Sequence, residues 1–182
     1  MLDAVVLAKA DVTQGIRHAT RLGSGPGPVA HTGFPCEEGA LPCASPTAER
    51  GACRPRFARC AAPVGLLPVL DSSALVLQAI AAGVRDVQLR LKDCSADRVR
   101  SEILAAQDAC ERSGARLWVN DHWMEALEAG CYGVHVGQED LATMADESLT
   151  RLAAAGLRLG VSTHSYAELA VALAVEPSYI SL

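Results

Sequence analysis

The chain has 182 residues, of which 50% are hydrophobic and only 4% aromatic, and its formal net charge is -5. That apolar content excludes a globally disordered chain and supplies a core of Leu, Val, Ile and Ala for one ordinary domain, or one and a fragment. The acidic balance argues against nucleic acid or an anionic membrane surface as a partner, so any phosphate binding has to be local. No apolar run reaches the roughly 20 residues that cross a bilayer, and the N-terminus lacks a signal-peptide pattern, so a cytoplasmic protein is expected. The seven cysteines show no C-x-x-C spacing and are expected to be free thiols.

Residues 3–21 predict one helix, with Val5, Val6, Ala8, Ile16 and Ala19 on its apolar side and Asp3 as a cap. The run Gly23-Ser24-Gly25-Pro26-Gly27-Pro28 ends it and reads as a flexible connector. Residues 32–63 lack periodicity and hold scattered Pro, four Cys and Arg50, Arg54, Arg56 and Arg59. Without interleaved aromatics this basic cluster reads as a linker, and a structureless stretch of that length marks a boundary.

From Val64 the pattern becomes regular. A short apolar run ends at Asp71, and a helix over 72–82 closes at Gly83. A strand follows over 86–91, then a helix over 95–112 with Val99, Ile103, Leu104 and Ala106 on one face. Further strands are predicted at 116–119, 131–136, 157–161 and from 178. Further helices are predicted at 125–128, 149–155 and 166–175. Such alternation with short loops implies a parallel sheet with right-handed crossovers. Polar residues recur at successive strand ends: Gln88, Arg90 and Lys92, then Asn120 and Asp121, then His135 and Asp140, then Ser162 and Thr163. Contributions from four consecutive strands favour an α/β, (β/α)8 barrel over a doubly wound sheet, whose site sits at one switch point.

In the segment Val87-Gln88-Leu89-Arg90-Leu91-Lys92-Asp93, period-two alternation puts Gln88, Arg90 and Lys92 on one face, a lining suited to an anion. Asp121 and Asp140 follow neighbouring strands and can hold Mg²⁺, with Lys92, Arg90 and Asn120 on the phosphates it bridges and Ser162 adding a hydroxyl. Taken singly, each has a plainer reading: a turn or cap for Asn120-Asp121, Asp140 and Ser162-Thr163, and a satisfied core histidine for His135.

Gln88-Leu89-Arg90-Leu91-Lys92, Val119-Asn120-Asp121, Gly133-Val134-His135-Val136-Gly137-Gln138-Glu139-Asp140 and Gly160-Val161-Ser162-Thr163-His164 together resemble thiamine-phosphate synthase, in order and approximate spacing, over residues 64–182. The resemblance implies a (β/α)8 fold and an Mg²⁺-dependent transferase of thiamine biosynthesis. Such an enzyme joins hydroxymethylpyrimidine diphosphate to thiazole phosphate and releases diphosphate. It places Gln88, Arg90, Lys92, Asn120 and Ser162 on the pyrimidine substrate, Lys92 and Arg90 in the catalytic role of neutralising the leaving group, and the metal on Asp121 and Asp140. The aminopyrimidine stabilises the cation left behind, so no protein nucleophile is expected.

Residues 1–31, with Leu22-Gly23-Ser24-Gly25-Pro26-Gly27-Pro28-Val29-Ala30-His31, resemble the end of hydroxymethylpyrimidine/phosphomethylpyrimidine kinase. A fusion or association with that kinase is therefore expected, with no kinase residues to carry over. Against the synthase family the chain stops after about five and a half βα units, so an incomplete barrel of low stability and little or no turnover is expected, as a fragment or a truncated product. Two other readings stay open: another phosphate-binding barrel, such as an isomerase or epimerase using Asp121 and His135, and a non-catalytic remnant that binds the pyrimidine diphosphate or a partner.

Overall fold

The computed structural model describes residues 1–25, 27–37, 39–44 and 56–182. Pro26, Pro46, Arg50, Cys53, Arg54 and Pro55 lie outside the described residues, and the readings that fall on them end there. In chain order the elements are α1 (Leu2–Arg17), β1 (Val69–Leu70), α2 (Ser73–Ala81), β2 (Asp86–Leu89), α3 (Ala96–Ser113), β3 (Arg116–Asn120), α4 (Trp123–Glu128), β4 (Gly133–Val136), α5 (Gln138–Thr143), α6 (Asp146–Ala154), β5 (Arg158–Ser162), α7 (Tyr166–Val175) and β6 (Tyr179–Ser181). They fall into two compact units, Met1–Arg50 with Thr163–Val175, and Gly51–Ser162 with Glu176–Leu182.

The larger unit holds one six-stranded sheet in the order β1-β2-β3-β4-β5-β6, every pair parallel. Strict sequential order leaves no point of reversal, which separates a barrel arc from a doubly wound sheet. The sheet is an incomplete barrel, as expected. Its strands are short apolar runs; every residue of β2 and β4 is buried, as parallel strands covered on both faces require.

Helix α3 shows why its sequence folds locally as it does. The Ser95 side chain accepts from the Arg98 N–H at 3.4 Å as N-cap, and Gly114 at φ 68 ends the helix in a left-handed turn. Val99, Ile103, Ala106 and Cys110 form its buried stripe, while Leu104, expected on that face, is 52% exposed. The 3.6-residue period explains this: Leu104 sits one position past Ile103, about 100° around the axis.

The sheet interior centres on Trp118, fully buried, whose ring meets Tyr179 edge-on at 4.9 Å and Tyr132 at 5.3 Å. Two strand glycines make the space. A Cβ on Gly133 would lie 2.6 Å from the Trp118 ring, and one on Gly160 would overlap the ring of Tyr179. At the strand starts Asp86 is buried and pairs with Arg116, whose Nε donates at 2.6 Å. The end of the expected linker belongs here as well. Ser178 Oγ donates to Ala58 O at 2.7 Å and Ala61 N donates to the Tyr132 hydroxyl at 2.9 Å. Residues 58–61 thus lie along the starts of β4 and β6, held by bonds that periodicity does not reveal.

In the smaller unit α1 ends at Arg17, short of the expected Arg21. Asp3 is inside the first turn instead of capping it, and its carboxylate accepts from the Ala167 N–H at 2.9 Å. After the Gly-rich run, whose Pro26 is outside the described residues, the chain returns to α1: Ala30 N donates to Gly15 O at 3.1 Å, where a flexible connector was expected. A Cβ on Gly15 would meet the Val29 side chain at 2.6 Å, so this return needs a glycine there. Buried Gln14 holds the returning chain in place, donating to Thr32 at 2.7 Å and accepting from the Cys36 and Glu37 N–H groups at 3.1 Å. Among the described residues, no helix is long and apolar enough to cross a membrane, and six cysteines are free thiols.

Candidate active site at the strand ends

The site is assembled from the C-terminal ends of β2 to β5 and from β6. Gln88 is 4% exposed and lies within β2; the strand stops at Leu89, and Arg90 and Lys92 follow it on an exposed loop. The burial alternation nevertheless runs on past the strand: Leu91 is 7% exposed between exposed Arg90 and Lys92, and Arg90 N still donates to Leu70 O at 2.7 Å. Beside them opens a cleft of about 730 Å³, lined also by Asp71, Ser72, Asp93, Cys94 and Arg98. Arg98 is a cation that strand-end reasoning missed, because it sits in the first turn of α3.

Asn120 ends β3, 7% exposed and in register with His135 of β4. Asp121 follows at φ 64, a left-handed conformation that costs an L-residue energy and is tolerated best by Asp, Asn and Gly. Its N–H donates to His135 O at 2.9 Å, so the bend is tied to the neighbouring strand. Asp140 lies in the first turn of α5, a helix absent from the sequence reading; the cap position is Gly137, with no side-chain cap. Burial raises the Asp121 pKa from its ordinary value, and the neighbouring Asp140 raises it further, against the pull of Arg90 and His122.

His135 is 7% exposed with both ring nitrogens engaged, Nδ1 with the Tyr179 hydroxyl at 2.6 Å and Nε2 with Ser162 Oγ at 2.7 Å. Burial, aided by the charge of Arg90, lowers its pKa to about 4. Ser162 is the last residue of β5, and its carbonyl accepts from Gln138 Nε2 at 2.7 Å. Tyr179, overlooked in sequence because nothing marked β6 as part of a site, is brought against His135; burial pushes its phenol upward, with Gln88 opposing.

Two carboxylates near enough for one to raise the pKa of the other form a hard oxygen donor pair. Mg²⁺ takes one or two carboxylates and completes its shell with water and phosphate oxygens, so this pair fits it. Among the described residues no group of three or more His, Cys, Asp or Glu gathers as a complete protein cage. With Arg90 and Lys92 alongside, the arrangement can bind a polyphosphate through a metal on one side and cations on the other.

Residues 68–182 match the family profile described as thiamine monophosphate synthase. The thiamine-phosphate synthase of Salmonella paratyphi B is 50% identical over 119 residues, covering 65% of this chain and 55% of that protein. The thiamine-phosphate synthase of Cronobacter sakazakii is 49% identical over 128 residues, covering 70% and 60%. The chain thus spans somewhat more than half the length of these curated relatives. The solved structure of thiamine phosphate pyrophosphorylase from Pyrococcus furiosus superposes with a TM-score of 0.55 at 23% identity, over 63% of this chain and 57% of that one, which is a likeness of fold.

Proposed function

The chain belongs to the thiamine monophosphate synthase family, and from that premise we propose that its strand-end site binds hydroxymethylpyrimidine diphosphate and transfers the pyrimidine to thiazole phosphate, giving thiamine phosphate and diphosphate. The observation that carries this reading is that Asp121, bent at φ 64 after β3, is close enough to Asp140 and Arg90 for both to act on its carboxylate. In it Asp121 and Asp140 hold Mg²⁺. When bound, that ion neutralises charge on the diphosphate oxygens. Arg90 offers a planar fork and Lys92 a mobile point charge to the same leaving group, which is their catalytic role. Gln88, Asn120 and Ser162 orient the pyrimidine from the buried side. No protein nucleophile is needed, because the amino-substituted ring carries the positive charge that develops as diphosphate departs.

An isomerase or epimerase reading needs a free acid–base pair. The His135 ring has both nitrogens committed to hydroxyls, which disfavours it. In the fuller proposal residues 1–31 are the end of a pyrimidine kinase joined to residues 64–182 of the synthase, working in the cytoplasm on small-molecule substrates.

Calorimetry of the full chain with the pyrimidine diphosphate tests the site. Binding is expected only with Mg²⁺, and Arg90→Ala and Lys92→Ala are each expected to weaken it at least about tenfold, the loss of a charge-assisted contact. Binding without Mg²⁺ dependence and unchanged in Asp121→Ala would overturn the site. Mg²⁺-dependent binding with no turnover on adding thiazole phosphate would make this chain a ligand-holding domain and not a catalyst.

A further inference from the structure

One polar side chain beside the site is turned away from its own helix. His122 is the N-cap residue of α4, yet its side chain makes no bond to the start of that helix. A polar residue at that position is most often used to satisfy the first N–H groups of the helix. The His122 ring instead reaches back to the neighbouring strand end, where Nε2 lies 3.3 Å from the Leu91 carbonyl oxygen. A carbonyl oxygen only accepts, so Nε2 donates.

Leu91 is the centre of the cation loop. Its side chain is buried, while Arg90 before it and Lys92 after it are exposed. The loop has a tie on each side. Arg90 N donates to Leu70 O at 2.7 Å, which holds the loop to β1. The His122 bond to Leu91 O holds it to the turn after β3. Downstream, the Lys92 carbonyl accepts from the Cys94 thiol at 3.2 Å, a weak bond within the loop itself. The turn that carries His122 also carries Asp121, and backbone bonds hold that turn. Asp121 N donates to His135 O at 2.9 Å, Trp123 N to Asp121 O at 2.7 Å and Ala126 N to His122 O at 3.0 Å. His122 is thus anchored on the carboxylate side and braces the cation side. A displacement of about 1 Å between two such sides is enough to spoil a shared grip on one ligand.

We propose that His122 is a positioning residue: through the Leu91 carbonyl it sets the spacing between the Arg90–Lys92 loop and Asp121, so that both sides close on one diphosphate. The diphosphate half of this inference rests on the reading given under the proposed function; the brace itself does not. His122 touches no ligand in this scheme and acts through the backbone between the two cations.

The brace is tested first without ligand, by hydrogen exchange of the full chain. In His122→Ala, exchange across residues 90–95 is expected to speed up at least about tenfold, with α3 and the middle of β3 unchanged. His122→Phe keeps the ring and removes the donor, and is expected to behave in the same way. His122→Gln places an amide N–H about where Nε2 lies, and is expected to restore wild-type exchange. A loop indifferent to both His122→Ala and His122→Phe overturns the brace. Second, inorganic diphosphate is titrated into the full chain with Mg²⁺ present. His122→Ala is expected to weaken it about tenfold, while affinity for Mg²⁺ alone stays within about twofold because Asp121 keeps its own backbone ties. His122→Gln is expected to bind within about threefold of wild type. In an Arg90→Ala or a Lys92→Ala background, His122→Ala is expected to cost at most about threefold, because a cation that is absent cannot be misplaced. A tenfold loss undiminished in both backgrounds, an equal loss for Mg²⁺ alone, or no recovery in His122→Gln overturns the positioning role. Failure of the wild-type chain to bind diphosphate with Mg²⁺, while loop exchange still responds to His122→Ala, overturns the diphosphate reading and leaves the brace standing.

Discussion

His135 has its pKa lowered to about 4 by burial and by the Arg90 charge, and this makes it an acid-labile point of the fold. The unfolded chain takes up a proton near pH 6.5, but the folded chain resists it until about pH 4. The stabilising contribution is therefore complete above pH 6.5 and is lost as pH falls toward 4, a change on the order of 3 kcal/mol. Urea unfolding at pH 7 and pH 4.5 is expected to show this loss in the wild type and not in His135→Asn. Asp121 has the opposite sign. Its raised pKa means the folded state favours the proton, so its contribution is present at low pH and is lost as pH rises through that raised value. Mg²⁺ is expected to raise the melting temperature at pH 7, to do little near pH 4, and to do nothing in Asp121→Asn. At this scale sequence pattern found the strand-end residues Gln88, Asn120 and Ser162, because position along a strand is local information. The closeness of Asp140 to Asp121, and the two hydroxyls on His135, depend on how separate strands register, which spacing alone does not encode.

Single elements show the same division between local and distant causes. The interval of helix α3 was legible because its N-cap serine and terminal glycine are adjacent in sequence to what they satisfy. Ser95→Ala is expected to cost about 1 kcal/mol in chemical denaturation, the usual value of a lost N-cap bond. The short helix α5 escaped detection because Gly137 supplies no side-chain cap and Gln138–Thr143 is too brief to display a period. Strand β5 carries a harder constraint at Gly160. An added methyl there overlaps the Tyr179 ring, and the surrounding backbone has no slack, so Gly160→Ala is expected to destabilise the larger unit by about 2–3 kcal/mol. A Tyr179→Ala change in the same chain is expected to make the alanine at 160 nearly neutral, and a double-mutant cycle measures that coupling.

On the scale of the whole sheet, the barrel class was legible because four consecutive predicted strands carried polar residues at the same end, and the strands do run in unbroken order β1 to β6. The smaller unit was less legible: after the glycine run that reads as a spacer, the chain returns to Gly15. The sheet is anchored at its strand starts by the Asp86–Arg116 pair. Removing one partner strands the other charge, so Asp86→Ala is expected to cost about 3 kcal/mol in unfolding followed by tryptophan fluorescence. Sequential parallel order also has a temporal meaning during synthesis. Each strand leaving the ribosome finds its neighbour already made, so the sheet can grow by accretion from β1. The phenol that meets His135 Nδ1 arrives last, with β6. Until that strand docks, the imidazole lacks one of its two hydroxyl partners and the ring of Trp118 lacks its edge-on companion at 4.9 Å. Growth of the frame and closure of its aromatic interior are thus separate events, and the second waits for β6 to be translated.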